Sequence, residues 1–101
     1  MTNLKIKDIT DPKILADIAK NDENYSIRAE AVEKLDDVAI LIDIAKNDRD
    51  EFVRQTAVQK ITDQDTLAYI AINDEDYFVR KAAVEGLTDQ GVLAEVAKKD
   101  E

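Results

Sequence analysis

The sequence predicts an all-α fold, a solenoid of 26-residue two-helix repeats. Three observations carry that expectation: the chain repeats itself at a fixed offset, its apolar residues recur at helical spacing within each copy, and capping residues punctuate the copies at matching places.

The self-similarity is explicit. Ile18, Ala19, Asn21 and Asp22 return 26 positions later as Ile44, Ala45, Asn47 and Asp48, and again as Ile70, Ala71, Asn73 and Asp74. A degraded copy follows at Val96, Ala97, Lys99 and Asp100. The same offset of 26 links Arg28, Arg54 and Arg80, and it links Leu15, Leu41, Leu67 and Leu93. No insertion interrupts the register.

Each copy contains two amphipathic stretches. In the first, Leu15, Ile18 and Ala19 share one helical face, and so do Ile27, Ala31, Val32 and Leu35 in the second. Helix A of the first copy is expected over 12–21, with Asp11 as its cap and Pro12 in its first turn; Asp37, Asp63 and Asp89 repeat the cap. Helix B is expected to start after Asn24, Asp50 or Asp76 and to end near Leu35, Ile61 or Leu87. The short connections force antiparallel neighbours, and so small a pair must stack on the next copy to cover its apolar face.

The ends extend the pattern. Residues 4–9 align with 30–35 and are expected to form a truncated helix B, while 89–99 read as a helix A with Leu93 and Val96 facing the third copy and Lys98 and Lys99 at its C-terminus. The expected organisation is one domain over 1–101: a truncated helical cap at 1–9, full repeats at 10–35, 36–61 and 62–87, and a capping half-repeat at 88–101.

Composition narrows the function classes. A chain of 101 residues with 45% hydrophobic residues can bury a core without staples, and it contains no cysteine to make one. A net charge of −9 repels nucleic acid and steers the chain toward a basic protein partner. No apolar run approaches the ~20 residues that span a bilayer, so no membrane association and a cytoplasmic location are expected. Histidine is absent and Ser26 is the sole serine, so nucleophilic catalysis lacks its usual inventory, and neither enzyme activity nor a cofactor is expected. Asp48 with Asp50, and Asp74 with Asp76, are spaced like the opening of a calcium loop, but neither the glycine nor the distal glutamate follows, so no metal is expected.

An aspartate followed five and six positions later by Val or Ile and then Arg, between two short amphipathic helices, resembles HEAT-like repeats. The matching residues are Asp22, Ile27 and Arg28; Asp48, Val53 and Arg54; and Asp74, Val79 and Arg80. The short unit is similar to the phycobilisome-lyase-type variety. The proline common in helix A of HEAT repeats would fall near Ile14, Ile40 or Thr66 and is missing. That absence keeps the leucine-rich variant repeat as a related alternative.

The resemblance implies a right-handed α-α superhelix, helix A convex and helix B concave, with a scaffold or protein-binding role and no chemistry of its own. It further implies that Asp22, Asp48 and Asp74 satisfy N–H groups at the start of helix B and pair with Arg28, Arg54 and Arg80 of their own and the next repeat. A phosphate-binding comb of these arginines is the competing reading. Arg54 is expected to be the most buried of the three.

Recurring positions are accounted for by stacking, so function is sought where the copies differ. The places aligned with Ser26 are Phe52 and Phe78, beside Tyr25 and Tyr77, which gathers four of the five aromatics at the starts of the second helices. Either Phe52 and Phe78 pack inward as spacers between repeats, or they form an aromatic strip on the concave rim together with the exposed positions Gln55, Thr56, Gln59, Lys81 and Glu85. On helix A of the third copy, Tyr69 and Ile72 replace a polar series and share a face, as a self-association contact or as isolated surface residues. The expected function is a non-enzymatic interaction scaffold that binds a protein on helix B. The alternative is an assembly module that forms a weak homo-oligomer through Tyr69 and Ile72 or through its ends.

Overall fold

The computed structural model describes residues 5–88, and every regular element among them is helical. Six α-helices follow in order: α1 (Pro12–Asn21), α2 (Tyr25–Lys34), α3 (Val38–Asn47), α4 (Glu51–Val58), α5 (Gln64–Asn73) and α6 (Tyr77–Gly86). Each begins at a residue whose side-chain oxygen accepts backbone N–H groups of the first turn. Asp11, Asp37 and Asp63 serve α1, α3 and α5, while Asn24, Asp50 and Asp76 serve α2, α4 and α6. These caps satisfy donors that have no partner within the helix.

Helices of eight to ten residues are too short to persist alone in water, so packing has to hold them. Consecutive helices pack as the pairs α1–α2, α3–α4 and α5–α6, and α2, α4 and α6 lie side by side in a row. Six alanines, at positions 19, 31, 45, 57, 71 and 83, are fully buried at 0% exposure. Small residues there let the helices approach closely, while Leu15, Leu35, Leu41, Ile61, Leu67 and Leu87 fill the space between pairs. The result is elongated, with extents of 50 × 20 × 16 Å and a radius of gyration of 14.4 Å, against roughly 13 Å for a compact chain of this length.

The N-terminal segment differs from the helix expected of it. Ile6–Asp8 is a single 3-10 turn, closed by Asp8 N–H to Lys5 O and Ile9 N–H to Ile6 O. Its last bond still matches the ends of the second helices, where Leu35 N–H reaches Val32 O, Ile61 N–H reaches Val58 O and Leu87 N–H reaches Val84 O. Ile6 and Ile9 pack against the core. The half-repeat expected at 88–101, with its Asp89 cap, lies outside the described residues apart from Thr88.

Two lysines fasten neighbouring segments together. Lys34 Nζ donates to Ile6 O, Lys7 O and Ile9 O at 3.1, 2.9 and 2.6 Å. Lys60 Nζ does the same 26 positions later, reaching Val32 O, Glu33 O and Leu35 O at 3.3, 2.6 and 2.5 Å. An ammonium among the last carbonyls of a helix satisfies acceptors and opposes the negative end of the helix dipole.

The third copy has Gly86 at this place, where an added Cβ would lie 2.9 Å from Leu67 Cδ1. There Gln64 closes the end instead, donating to Gly86 O at 3.1 Å and accepting from Thr88 N–H at 2.8 Å. Helix α4, which receives no lysine from α6, stops at Val58, two residues short of the place matching the end of α2.

Candidate partner-binding surface

The aspartate–arginine ladder is built into the interior. Arg28 donates through Nε and Nη2 to Asp48 Oδ2 and Oδ1, both at 3.1 Å, and Arg54 holds Asp74 the same way at 3.0 and 3.3 Å. Such two-point contacts fix orientation as well as distance. Arg28 and Arg54 therefore each reach the carboxylate of the following helix pair. Within its own pair each arginine meets a carbonyl: Arg28 Nη1 donates to Asp22 O at 2.7 Å, Arg54 Nη1 to Asp48 O at 2.8 Å, and Arg80 Nη1 to Asp74 O at 2.9 Å.

This corrects the expected pairing of carboxylate and arginine within one repeat. The carboxylates also do not cap helix B; Asp22, Asp48 and Asp74 accept from Asn24, Asp50 and Asp76 N–H in the loop, and those loop residues do the capping. Arg28, not Arg54, is the most buried of the three, its side chain 1% exposed against 14%. Because the clamp reaches forward, being the middle copy gives Arg54 no extra cover. Burial works against the charged form of Arg54, but the hydrogen bond and charge of Asp74 outweigh it and raise its pKa above the ordinary value. Arg28, paired and enclosed, is not presented to a ligand, while Arg54 is paired with Asp74 and borders an open hollow.

The helix A candidates divide. Tyr69 is 54% exposed, with Lys46 Nζ 4.7 Å from its ring centroid. One step earlier, at the same two places, Lys20 stands 3.9 Å from Asp43. Tyr69 thus takes over from a carboxylate as the partner of the preceding lysine. Ile72 is half-buried and packs on the core, so the expected exposed apolar pair is a single exposed ring already in contact with a lysine.

The second helices present a clearer surface. Tyr25, Phe52, Tyr77 and Phe78 are 50%, 51%, 58% and 60% exposed, which rules out a role as buried spacers. Tyr25 of α2 meets Phe52 of α4 edge to face at 6.2 Å between centroids, and Tyr77 meets Phe78 in the same manner at 5.3 Å. One helical turn beyond each phenylalanine come Gln55 and Lys81, then Gln59 and Glu85, so each helix carries a stripe along one face. Gln55 is half-buried, while Gln59, Lys81 and Glu85 are exposed.

Thr56 does not belong to this surface. It is 7% exposed, like the matching Ala82, and its hydroxyl donates to Phe52 O at 2.8 Å, which satisfies the oxygen within its own helix. The position faces the neighbouring helices of the row, and a residue with its polar atom bonded at home can be buried there.

The ground around the first ring pair is acidic. An open hollow of about 520 Å³ is lined by Tyr25, Ser26, Asp50, Glu51 and Phe52. Glu75 and Asp76 precede the second ring pair in sequence, and Arg80 and Lys81 follow it. Arg49 lines a separate hollow with Lys46, Arg54, Asn73, Asp74 and Glu75. Among the described residues no group of three or more acidic, histidine or cysteine side chains is placed to hold a metal ion. No helix among them is long and apolar enough to cross a membrane.

The described residues define an all-α protein in which Arg28 and Arg54 are spent on internal clamps and four exposed rings collect at the starts of α2, α4 and α6. In comparisons of sequence and structure, no protein-family model, curated protein or solved structure matches this chain.

Proposed function

We propose that the chain is a short HEAT-like solenoid acting as a non-enzymatic interaction scaffold, and that it binds a protein partner through the exposed aromatic face of its second helices. The observation that carries this reading is the half-exposure of four aromatic rings on one set of helix starts. Large rings normally bury their area, and clustered exposed ones are characteristic of interaction surfaces. The 26-residue sequence register, the matching arginine clamps and the lysines on helix ends support the solenoid reading.

The test is capture from lysate on the immobilised chain, comparing it with a Phe52→Ala, Phe78→Ala variant. Both side chains are exposed, so far-UV circular dichroism and the melting temperature are expected to stay unchanged while specific capture is lost. Undiminished capture by the variant sinks this surface.

A second reading, association through an end of the molecule, is favoured by one observation. A hollow of about 870 Å³ beside the N-terminal turn is lined by Ile6, Ile9, Ile14, Ile18 and Ile27, with Lys5, Lys7, Asp22 and Glu30 also on its lining. Light scattering at high concentration checks it: a dimer that dissociates on Ile14→Glu supports it, and a monomer at all concentrations removes it.

A further inference from the structure

The aromatic face is described so far only as a place where a partner can dock; its chemistry selects the kind of partner. We infer that it receives an extended basic peptide segment of the partner, with arginine side chains lying on the ring faces and bonding to the carboxylates beside them. This rests on the proposed binding role of the same surface.

Three features favour a cation over an apolar occupant. Each ring pair is edge to face, so one ring meets its neighbour by an edge and not by its face, and all four rings are at least half exposed. The hollow at Tyr25 and Phe52 is lined by Asp50 and Glu51 and by no basic side chain. Asp50 spends Oδ1 on the N–H groups of Phe52 and Val53, so its carboxylate is fixed in place by the helix start. A guanidinium is attracted by both the negative face of a ring and a neighbouring carboxylate, and it is more weakly hydrated than an ammonium.

The ladder makes the charge argument local as well as global. Arg28 is committed to Asp48, and Arg54 to Asp74 with a weaker pull from Glu51 and Asp76, so the carboxylates beside the first ring pair are only partly offset. The net charge of −9 adds long-range attraction for a basic segment.

Geometry sets the spacing of the cations. One ring pair bridges α2 and α4, and the other stands on α6. With neighbouring helices roughly 8–10 Å apart, the two sites are separated by about 10–15 Å. An extended chain covers that in about four residues, and side chains four apart point the same way.

The experiment titrates the full chain with a capped Gly/Ser peptide carrying two arginines four residues apart, followed by NMR of ring and backbone resonances. Its controls are the same peptide with citrulline, which keeps the shape and removes the charge, and one with the arginines adjacent. The expected result is shifts concentrated at Tyr25, Phe52, Tyr77 and Phe78, with binding about tenfold weaker for the citrulline peptide and for a Phe52→Leu, Phe78→Leu variant. Leucine preserves apolar area and removes the ring face. Glu51→Gln with Glu75→Gln should weaken binding and flatten its salt dependence.

Equal binding of the citrulline peptide at the rings overturns the cationic partner while leaving the surface itself standing. Arginine-peptide shifts confined to the first helices, or no shifts at millimolar peptide, overturn this inference. The surface is judged separately by the capture experiment.

Discussion

Replacing Lys60 by methionine removes one ammonium and keeps most of the side-chain volume. The ammonium bonds Val32 O, Glu33 O and Leu35 O at 3.3, 2.6 and 2.5 Å, so it holds the end of α2 against the end of α4. A hydrogen bond to a charged group contributes about 1.5–3 kcal/mol net, and two of these three are short. Glu33 is exposed, so its carbonyl regains water in the variant, which reduces the loss. A cation at a partly buried helix C-terminus gives a similar figure of up to about 2 kcal/mol.

The expected cost is therefore about 2 kcal/mol. With an unfolding entropy of about 2.1 cal/mol/K per residue, that lowers the melting temperature by about 10 °C. Lys60→Arg should recover only part, because a planar fork cannot converge on three carbonyls as a tetrahedral ammonium does. Lys34→Met should cost less, since the Ile6–Asp8 turn that it holds can fray without unfolding the rest. Paired thermal and urea melts measure all three. A Lys60→Met loss below about 0.5 kcal/mol would refute the claim that this lysine fastens successive helix pairs.

Arg28→Met should destabilise by about 3–5 kcal/mol, because it leaves the Asp48 carboxylate, 6% exposed, without its cation; a double-mutant cycle with Asp48→Asn in urea melts should recover a large coupling energy. Hydrogen bonds from the Thr66 hydroxyl and from its backbone N–H lower the pKa of Asp63. A group whose folded pKa is depressed adds stability above its unfolded pKa, and that stability is lost as the pH falls through the folded value. Thr66→Ala should thus move the Asp63 titration, followed by carboxyl-carbon NMR, back up toward the ordinary aspartate range, and an unmoved titration contradicts the assignment. Tyr69→Ala should cost about 0.5–1 kcal/mol through the lost contact with Lys46, and Tyr69→Phe almost nothing; equal losses would mean that the hydroxyl, not the ring, matters.

What could be read from the sequence was mostly local. The span of α1 and the caps Asp11, Asn24 and Asp50 are written in residues two or three positions apart, where side-chain oxygen and backbone N–H must meet. Pairing between repeats was implied by the resemblance, but the direction in which Arg28 reaches, forward to Asp48, was not legible, since it depends on how one helix pair sits on the next. The fastening role of Lys34 and Lys60 went unread, although their shared offset and the glycine at position 86 were a visible signal.

The site was legible in composition and not in exposure. Four rings at the starts of the second helices could be counted, but whether they turned inward depended on how much room the neighbouring pair left. Thr56 went the other way because its hydroxyl could be satisfied by Phe52 O, a local bond that makes burial inexpensive for a polar residue. Ile72 was judged by the lysines at its matching positions, whereas an isoleucine at the same backbone place gains by folding against the core.

The central claim, that partners meet the aromatic face of the second helices, is tested most directly by site-specific photocrosslinking in lysate. A photoreactive phenylalanine analogue placed at Phe52 or Phe78 should give a discrete protein adduct, and the same group at the exposed Asp17 or Asp43 of the first helices should give none. Adducts formed from Asp17 and Asp43, with none from Phe52 and Phe78, would contradict the account.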